Sequence, residues 1–247
     1  MTCSSPEQLA ALLQGWAGDV TLVLSEPGFN FDAGETFRHC QTAAQLVVLD
    51  AWRTAAAQTA DATGALSSVD HLVVWAFGPV MASWLDALPP SVHLAALQVY
   101  ERQSSNGSTV VAACPKALGA LTLYSSLTGL PESMGQLAAL TTLDLVGCGS
   151  LTELPESIGQ LTALTALDLG FCSLLTGLPE SMGQLAALTT LDLRGCGSLT
   201  GLPESMGQLA ALTTLDLSNC GSLTGLPESM GQLAALTTLN LSRCRSL

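Results

Sequence analysis

From Leu130 to Leu247 the chain repeats itself with a step of 24 residues. Leu-Pro pairs fall at Leu130-Pro131, Leu154-Pro155, Leu178-Pro179, Leu202-Pro203 and Leu226-Pro227, and cysteines at Cys148, Cys172, Cys196, Cys220 and Cys244. A fixed period of roughly 20 to 50 residues predicts a solenoid. One unit of that length cannot bury its own apolar side chains, whereas stacked neighbours close a continuous core.

Each copy reads L-x-x-L-x-L-x-x-C-x-x-L-x-x-L-P, carried in one case by Leu140, Leu143, Leu145, Cys148, Leu151 and Leu154. The L-x-L pair alternates, so it predicts a short strand with both leucines turned into the coil. Proline and glycine break the returning half into turns or short helical pieces, where Met134 (or Ile158) and Leu137 pack. The five cysteines predict small buried side chains with a weak donor, a structural ladder of free thiols. No C-x-x-C or Cys/His spacing suggests a metal site.

This pattern resembles the leucine-rich-repeat family, in register from Leu130 to the end. With Cys at the ladder position and L-P-E-S-[MI]-G-x-L behind it, it is most similar to the repeats of plant-type intracellular disease-resistance proteins and their algal relatives. The resemblance implies an α/β solenoid, a horseshoe with a concave parallel sheet and irregular or short helical returning segments. It also implies an intracellular recognition or regulatory module in defence-type signalling. That family joins its repeats to a nucleotide-binding and a signalling domain, and this chain shows no sign of either.

The net charge is −13, with ten acids and four bases in residues 1–129 and ten acids and three bases in residues 130–247. Nucleic acid and anionic lipid both require a basic footprint, so neither is expected as a partner. A protein or peptide with a basic surface fits the charge. Reduced thiols and a beginning without a basic, apolar leader point to the cytoplasm. The longest apolar run, Leu72 to Leu85, is too short to cross a bilayer and contains Pro79, so no membrane insertion is expected.

Residues 1–18 predict an N-terminal capping helix. Ser5 caps it, Pro6 takes its first position, Leu9, Leu12, Leu13 and Trp16 share one face, and Gly18 ends it. Residues 19–129 read as degenerate coils of the same solenoid. Leu94-x-x-Leu97-x-Val99 and Leu118-x-x-Leu121-x-Leu123 are 24 apart, with earlier strands at Val73/Trp75, Leu46/Leu49 and Thr21–Leu24. Between Leu123 and Leu127 two residues are missing relative to Leu145–Leu151, which predicts an irregularity there. Residues 130–247 are the regular repeats. The last is incomplete, which reads as a truncated product or an open end that finds a partner.

No phosphate-binding glycine loop, nucleophile elbow or metal spacing is present, so no catalytic residue and no cofactor is assigned. His39, Cys40 and His71 form no triad by spacing. Two acidic rows stand out. Asp144, Asp168, Asp192 and Asp216, continued by Asn240, lie between the strand leucines and face away from the core. Glu132, Glu156, Glu180, Glu204 and Glu228 follow the prolines. Aspartates about 5 Å apart on stacked strands repel by roughly 0.8 kcal/mol per pair in water. They call for a cation, a basic side chain or solvent to offset them, and the functional reading is that a partner supplies the lysine or arginine.

The copies differ most just before the cysteine, at Val146-Gly147, Gly170-Phe171, Arg194-Gly195, Ser218-Asn219 and Ser242-Arg243. These pairs are expected to continue the concave strand, exposed beside the aspartates. The expected partner-binding strip is Asp144, Val146, Asp168, Phe171, Asp192, Arg194, Asp216, Asn219, Asn240 and Arg243. Phe171 and Arg194 are its anchors, because aromatic and arginine side chains dominate interfaces. The fold is expected to hold roughly ten coils. Three readings follow: a protein-recognition module, an orphan repeat array without a selected ligand, and an enzyme site in the irregular front half.

Overall fold

The computed structural model describes residues 2–3, 18–25, 46–50, 69–77, 93–100, 111, 114, 116–124 and 127–247. The chain forms two compact units, Met1–Tyr100 and Glu101–Leu247. That division falls inside the segment 19–129 that was expected to be a single run of degenerate coils.

Among its described residues the first unit holds five strands: β1 (Thr2–Cys3), β2 (Gly18–Ser25), β3 (Leu46–Asp50), β4 (Val69–Phe77) and β5 (His93–Tyr100). Their pairs are parallel, in the order β1-β3-β2-β4-β5. The expected strands all fall within these elements, but the order departs from coil-by-coil stacking. A coil touches only its neighbours, so stacked strands follow chain order, whereas β2 lies between β3 and β4. The register also differs by one residue. Val74 and Ala76, rather than Val73 and Trp75, stand level with Leu97 and Val99. A one-residue slip exchanges which residues share a face. The capping helix expected over 1–18 lies outside the described residues apart from Thr2–Cys3 and Gly18, which are strand. His39 and Cys40 also lie outside them.

The second unit is the regular solenoid. Its strands follow chain order: β6 (Ala120–Tyr124), β7 (Thr142–Asp144), β8 (Ala166–Asp168), β9 (Thr190–Asp192), β10 (Thr214–Asp216) and β11 (Thr238–Asn240). From β7 onward the parallel pairing keeps the 24-residue step, Leu143 against Leu167 against Leu191 against Leu215 against Leu239. Between β6 and β7 the step is 22, Leu121 against Leu143, as the two missing residues require. The returning segments are 3-10 turns, Glu132–Gln136 and its four copies at Glu156–Gln160, Glu180–Gln184, Glu204–Gln208 and Glu228–Gln232. This is a leucine-rich-repeat fold.

Burial explains the constant positions. Leu164, Leu169, Cys172, Leu175, Met182 and Leu185 are fully inaccessible, and their copies one coil earlier and later are too. Each such leucine contributes roughly 1.5 to 3 kcal/mol from burial alone. Every ladder thiol donates to the carbonyl of an earlier coil, from Cys148 Sγ to Leu123 O at 3.1 Å through Cys244 Sγ to Leu217 O at 3.0 Å. Threonines form a second ladder, Thr165 Oγ1 donating to Thr141 O and Thr189 Oγ1 to Thr165 O, both at 2.9 Å. These bonds fall on carbonyls that also accept backbone N–H groups, Thr141 O taking Thr165 N–H at 2.8 Å and Leu217 O taking Cys220 N–H at 3.2 Å, so they use the second lone pair of each oxygen.

Candidate functional site

The aspartate row ends the strands, and its first task is local. Asp168 Oδ1 accepts the backbone N–H of Gly170 at 2.9 Å, Asp192 that of Arg194 at 2.9 Å, and Asp216 that of Ser218 at 2.8 Å. Asp144 does the same for Val146 at 3.0 Å, and Asn240 for Ser242 at 3.1 Å. A side-chain oxygen taking the N–H two residues on is an Asx turn, which stabilises the corner where the chain leaves the sheet. This structural role was not among the readings of the sequence. The signal was present in Asn240, since an amide oxygen keeps the acceptor while the charge is lost.

The glutamate row is also engaged. The proline before each 3-10 turn supplies no side-chain cap, and the glutamate of the preceding coil replaces it. Glu132 Oε2 accepts Ser157 N–H at 3.1 Å and Glu180 Oε2 accepts Ser205 N–H at 3.1 Å. The serines of these turns are buried at Ser157, Ser181 and Ser205. Glycine is required beside them: a Cβ on Gly183 would lie 2.6 Å from Ser205 O. The constancy of the returning segment is therefore explained by packing. It does not by itself set off the changeable strip as selected.

The changeable pairs differ from expectation in two ways. The inter-coil ladder does run on into them, Leu169 N–H to Asp192 O at 2.8 Å and Phe171 N–H to Arg194 O at 2.7 Å. The second residue of each pair, however, turns left-handed: Gly147, Phe171, Gly195, Asn219 and Arg243 have φ of 75°, 60°, 72°, 61° and 64°. They form a corner and do not prolong the strand. The first residue is half-buried at Val146 and Arg194 and buried at Gly170 and Ser218, while Phe171, Asn219 and Arg243 are exposed.

Phe171, Arg194, Asp168 and Asp192 come together. Arg194 Nε lies 3.2 Å from Asp192 Oδ2, Nη2 lies 3.8 Å from Asp168 Oδ2, and the guanidinium stands over the Phe171 ring, 5.8 Å from its centroid. The chain thus supplies its own cation to the middle of the row. The end of the row is handled differently, by Asn240 Nδ2 donating to Asp216 Oδ2 at 3.1 Å.

As a result the copied aspartates do not share one environment. Burial pushes the Asp168 carboxyl up, aided by Asp192 and Asp144, against the Gly170 N–H and Arg194. For Asp216 burial also acts upward, but hydrogen bonds from the Ser218 hydroxyl and N–H and from Asn240, with Arg194, outweigh it and hold the carboxyl low. Among the described residues no group of histidines, cysteines and acids is placed to hold a metal ion, and no helix is long and apolar enough to cross a membrane.

Sequence comparison missed Leu174. It stands where the other copies carry Ser150, Ser198, Ser222 and Ser246, and it is 51% exposed. That replacement was the available signal.

Leucine-rich-repeat family models match residues 139–161, 163–185 and 187–245. The leucine-rich-repeat domain of the type III effector XopL is similar in fold at 20% identity, over 74% of this chain and 71% of that one, with a TM-score of 0.55. The leucine-rich-repeat ectodomain of the plant membrane receptor kinase GASSHO1/SCHENGEN3 from Arabidopsis thaliana, solved in complex with Casparian strip integrity factor 2, is 30% identical over 79% of this chain, with a TM-score of 0.52. This chain spans only 24% of that ectodomain's length. No curated protein matches the sequence.

Proposed function

We propose that this leucine-rich-repeat chain is a non-catalytic recognition module that binds a protein or peptide with a basic surface along the aspartate row. The family matches and the fold support a leucine-rich-repeat assignment. Leucine-rich-repeat domains are in general protein-binding modules, and the receptor ectodomain above holds its factor in the same kind of fold. A cytoplasmic setting in defence-type signalling is part of the proposal. It rests on the likeness of L-P-E-S-[MI]-G-x-L and the ladder cysteine to intracellular resistance proteins.

One observation carries the reading. The leucines and cysteines that close the core and the glutamates that cap the returning turns recur in every copy, and the copies differ at the corner beside the aspartates, where Phe171 keeps a 54% exposed ring on a left-handed backbone. A bulky residue there costs about 1 to 2 kcal/mol relative to glycine, with no burial in the core to offset it.

A second reading, an array without a selected ligand, is favoured by the structural tasks of both acidic rows. Affinity capture from a lysate of the source organism separates the two. Immobilised wild type is compared with a Phe171→Asn, Arg194→Ala, Asp168→Asn variant of matching circular dichroism. A partner held by wild type and lost by the variant supports recognition at this surface. Identical captured sets from both would end that assignment.

A further inference from the structure

We propose that the corner Gly170–Leu174 is the anchor of this surface, and that its ligand is an extended basic peptide segment. An apolar ligand side chain sits on Phe171 and Leu174, and a neighbouring lysine or arginine meets Asp144. The inference rests on the recognition reading and deepens it.

Phe171 and Leu174 both depart from their copies, three residues apart in one turn. The equivalent positions hold Gly147, Gly195, Asn219 and Arg243 in the first case and serines in the second. Among the described residues, the other exposed large apolar side chains are Leu239 and Leu247, both in the final coil. One coil of the five therefore carries an apolar knob that the core does not use. Its two sides are unlike. Toward the following coil the ring is closed off by Gly195 and Arg194; a Cβ on Gly195 would come 2.7 Å from Phe171 Cδ1. Toward the preceding coil stands Gly147, exposed, its N–H bonded to Gly170 O at 2.8 Å, with no atom within 4 Å of where its Cβ would be. The open approach to the ring is over Gly147.

Charge decides what comes that way. Arg194 is committed to Asp192 and Asp168. The acid on the open side is Asp144, whose Oδ2 takes an uncharged donor, the Tyr124 hydroxyl, at 3.3 Å. A cation from the ligand complements it, and an acidic segment is repelled by the whole row. One coil is about 5 Å, the advance of one to two extended residues. The basic residue therefore lies within about three positions of the apolar one.

A displayed library of random short peptides, panned on the full chain, tests this. Phe171→Asn, Leu174→Ser and Gly147→Asn each install a residue that another copy already carries at that position, so the fold tolerates them. Wild type should enrich peptides with an aromatic or aliphatic residue near Lys or Arg. Each substitution should weaken a selected synthetic peptide by about tenfold or more, with the urea midpoint of Phe171→Asn unchanged or raised. Asp144→Asn should weaken that peptide but not its Lys→Gln form. Selected peptides that bind all variants equally, or that are acidic, overturn the inference and leave recognition elsewhere on the chain standing. No enrichment above bare support overturns the inference and the peptide half of that reading, leaving a folded protein as the partner.

Discussion

Asp192 holds Arg194 twice: its Oδ1 accepts the arginine's backbone N–H at 2.9 Å, and its Oδ2 lies 3.2 Å from the same residue's Nε. One carboxylate thus turns the chain and positions the cation that shields its neighbour Asp168. The two tasks can be separated by substitution. Asp192→Asn keeps the acceptor, as Asn240 does, and loses only a partly exposed ion pair worth about 0 to 1 kcal/mol. Asp192→Ala loses the turn bond as well, a further loss of about 1 kcal/mol. Urea denaturation should rank wild type, Asn and Ala in that order; equal midpoints for Asn and Ala would remove the turn role.

The backbone at Phe171 predicts an uncommon sign. Phe171→Gly relieves a left-handed conformation costing about 1 to 2 kcal/mol and gives up a cation–π contact of about 0.5 to 1 kcal/mol. The urea midpoint should hold or rise slightly. A loss above about 1 kcal/mol, the scale of an ordinary destabilising change, would mean that the ring is packed as part of the core.

Gly183 and Gly231 sit in the same five-residue sequence, ESMGQ, and should respond oppositely to alanine. A Cβ on Gly183 meets Ser205 O at 2.6 Å and Ser205 Cβ at 2.8 Å, and one on Gly231 meets nothing within 4 Å. Gly183→Ala should destabilise by about 1 to 3 kcal/mol, whereas Gly231→Ala should be neutral or slightly stabilising. Paired thermal melts check this, and equal effects would contradict the inter-coil packing.

Acid should affect two aspartates in opposite senses. Asp216 has a lowered pKa, so its contribution is present above the ordinary value of 3.8 and is lost as pH falls through its folded value. Asp168 has a raised pKa, so the folded chain holds its proton more tightly and stability falls as pH rises from 3.8 through its folded value. Going from about pH 3 to neutrality, Asp168→Asn should gain stability relative to wild type and Asp216→Asn should lose it. Denaturant midpoints at both pH values measure the difference, and parallel shifts would refute it.

Burial pushes the Cys196 and Cys220 thiols up to about 12 and about 11, and it also raises Cys172. The thiolate is the nucleophile, so these three should resist alkylation in the native state at mildly alkaline pH. Cys244, only half-buried in the final coil, should be labelled before these three. Peptide-resolved mass spectrometry reads the order; early labelling of Cys196 would show that the coils open there.

Much of this fold was legible in the chain because a repeat reports its own packing. Leu137, Leu143, Leu145, Cys148 and Leu151 recur at one step, and a position that recurs unchanged through five copies is one that the neighbouring coil constrains. The solenoid, its short parallel strands, the buried thiol ladder and the short step between β6 and β7 all follow from spacing. The first unit was less legible. Once the repeat is worn, strand existence survives in apolar runs such as Leu46–Leu49, but order and register do not. The placement of β2 between β3 and β4 and the pairing of Val74 with Leu97 depend on contacts between distant residues.

At the candidate surface, sequence alone determined which residues change and that four aspartates form a row. Tertiary structure decided what those residues do. A side chain acquires its partners from the coils above and below it, so the Asx turns, the caps from Glu132 to Ser157 and onward, and the Arg194 bridge become visible only when coils are stacked. The left-handed corner at Phe171 belongs to the same class. Backbone dihedrals there are imposed by the ladder bond from Phe171 to Arg194 and the turn at Asp168, a constraint that no local preference of phenylalanine would reveal.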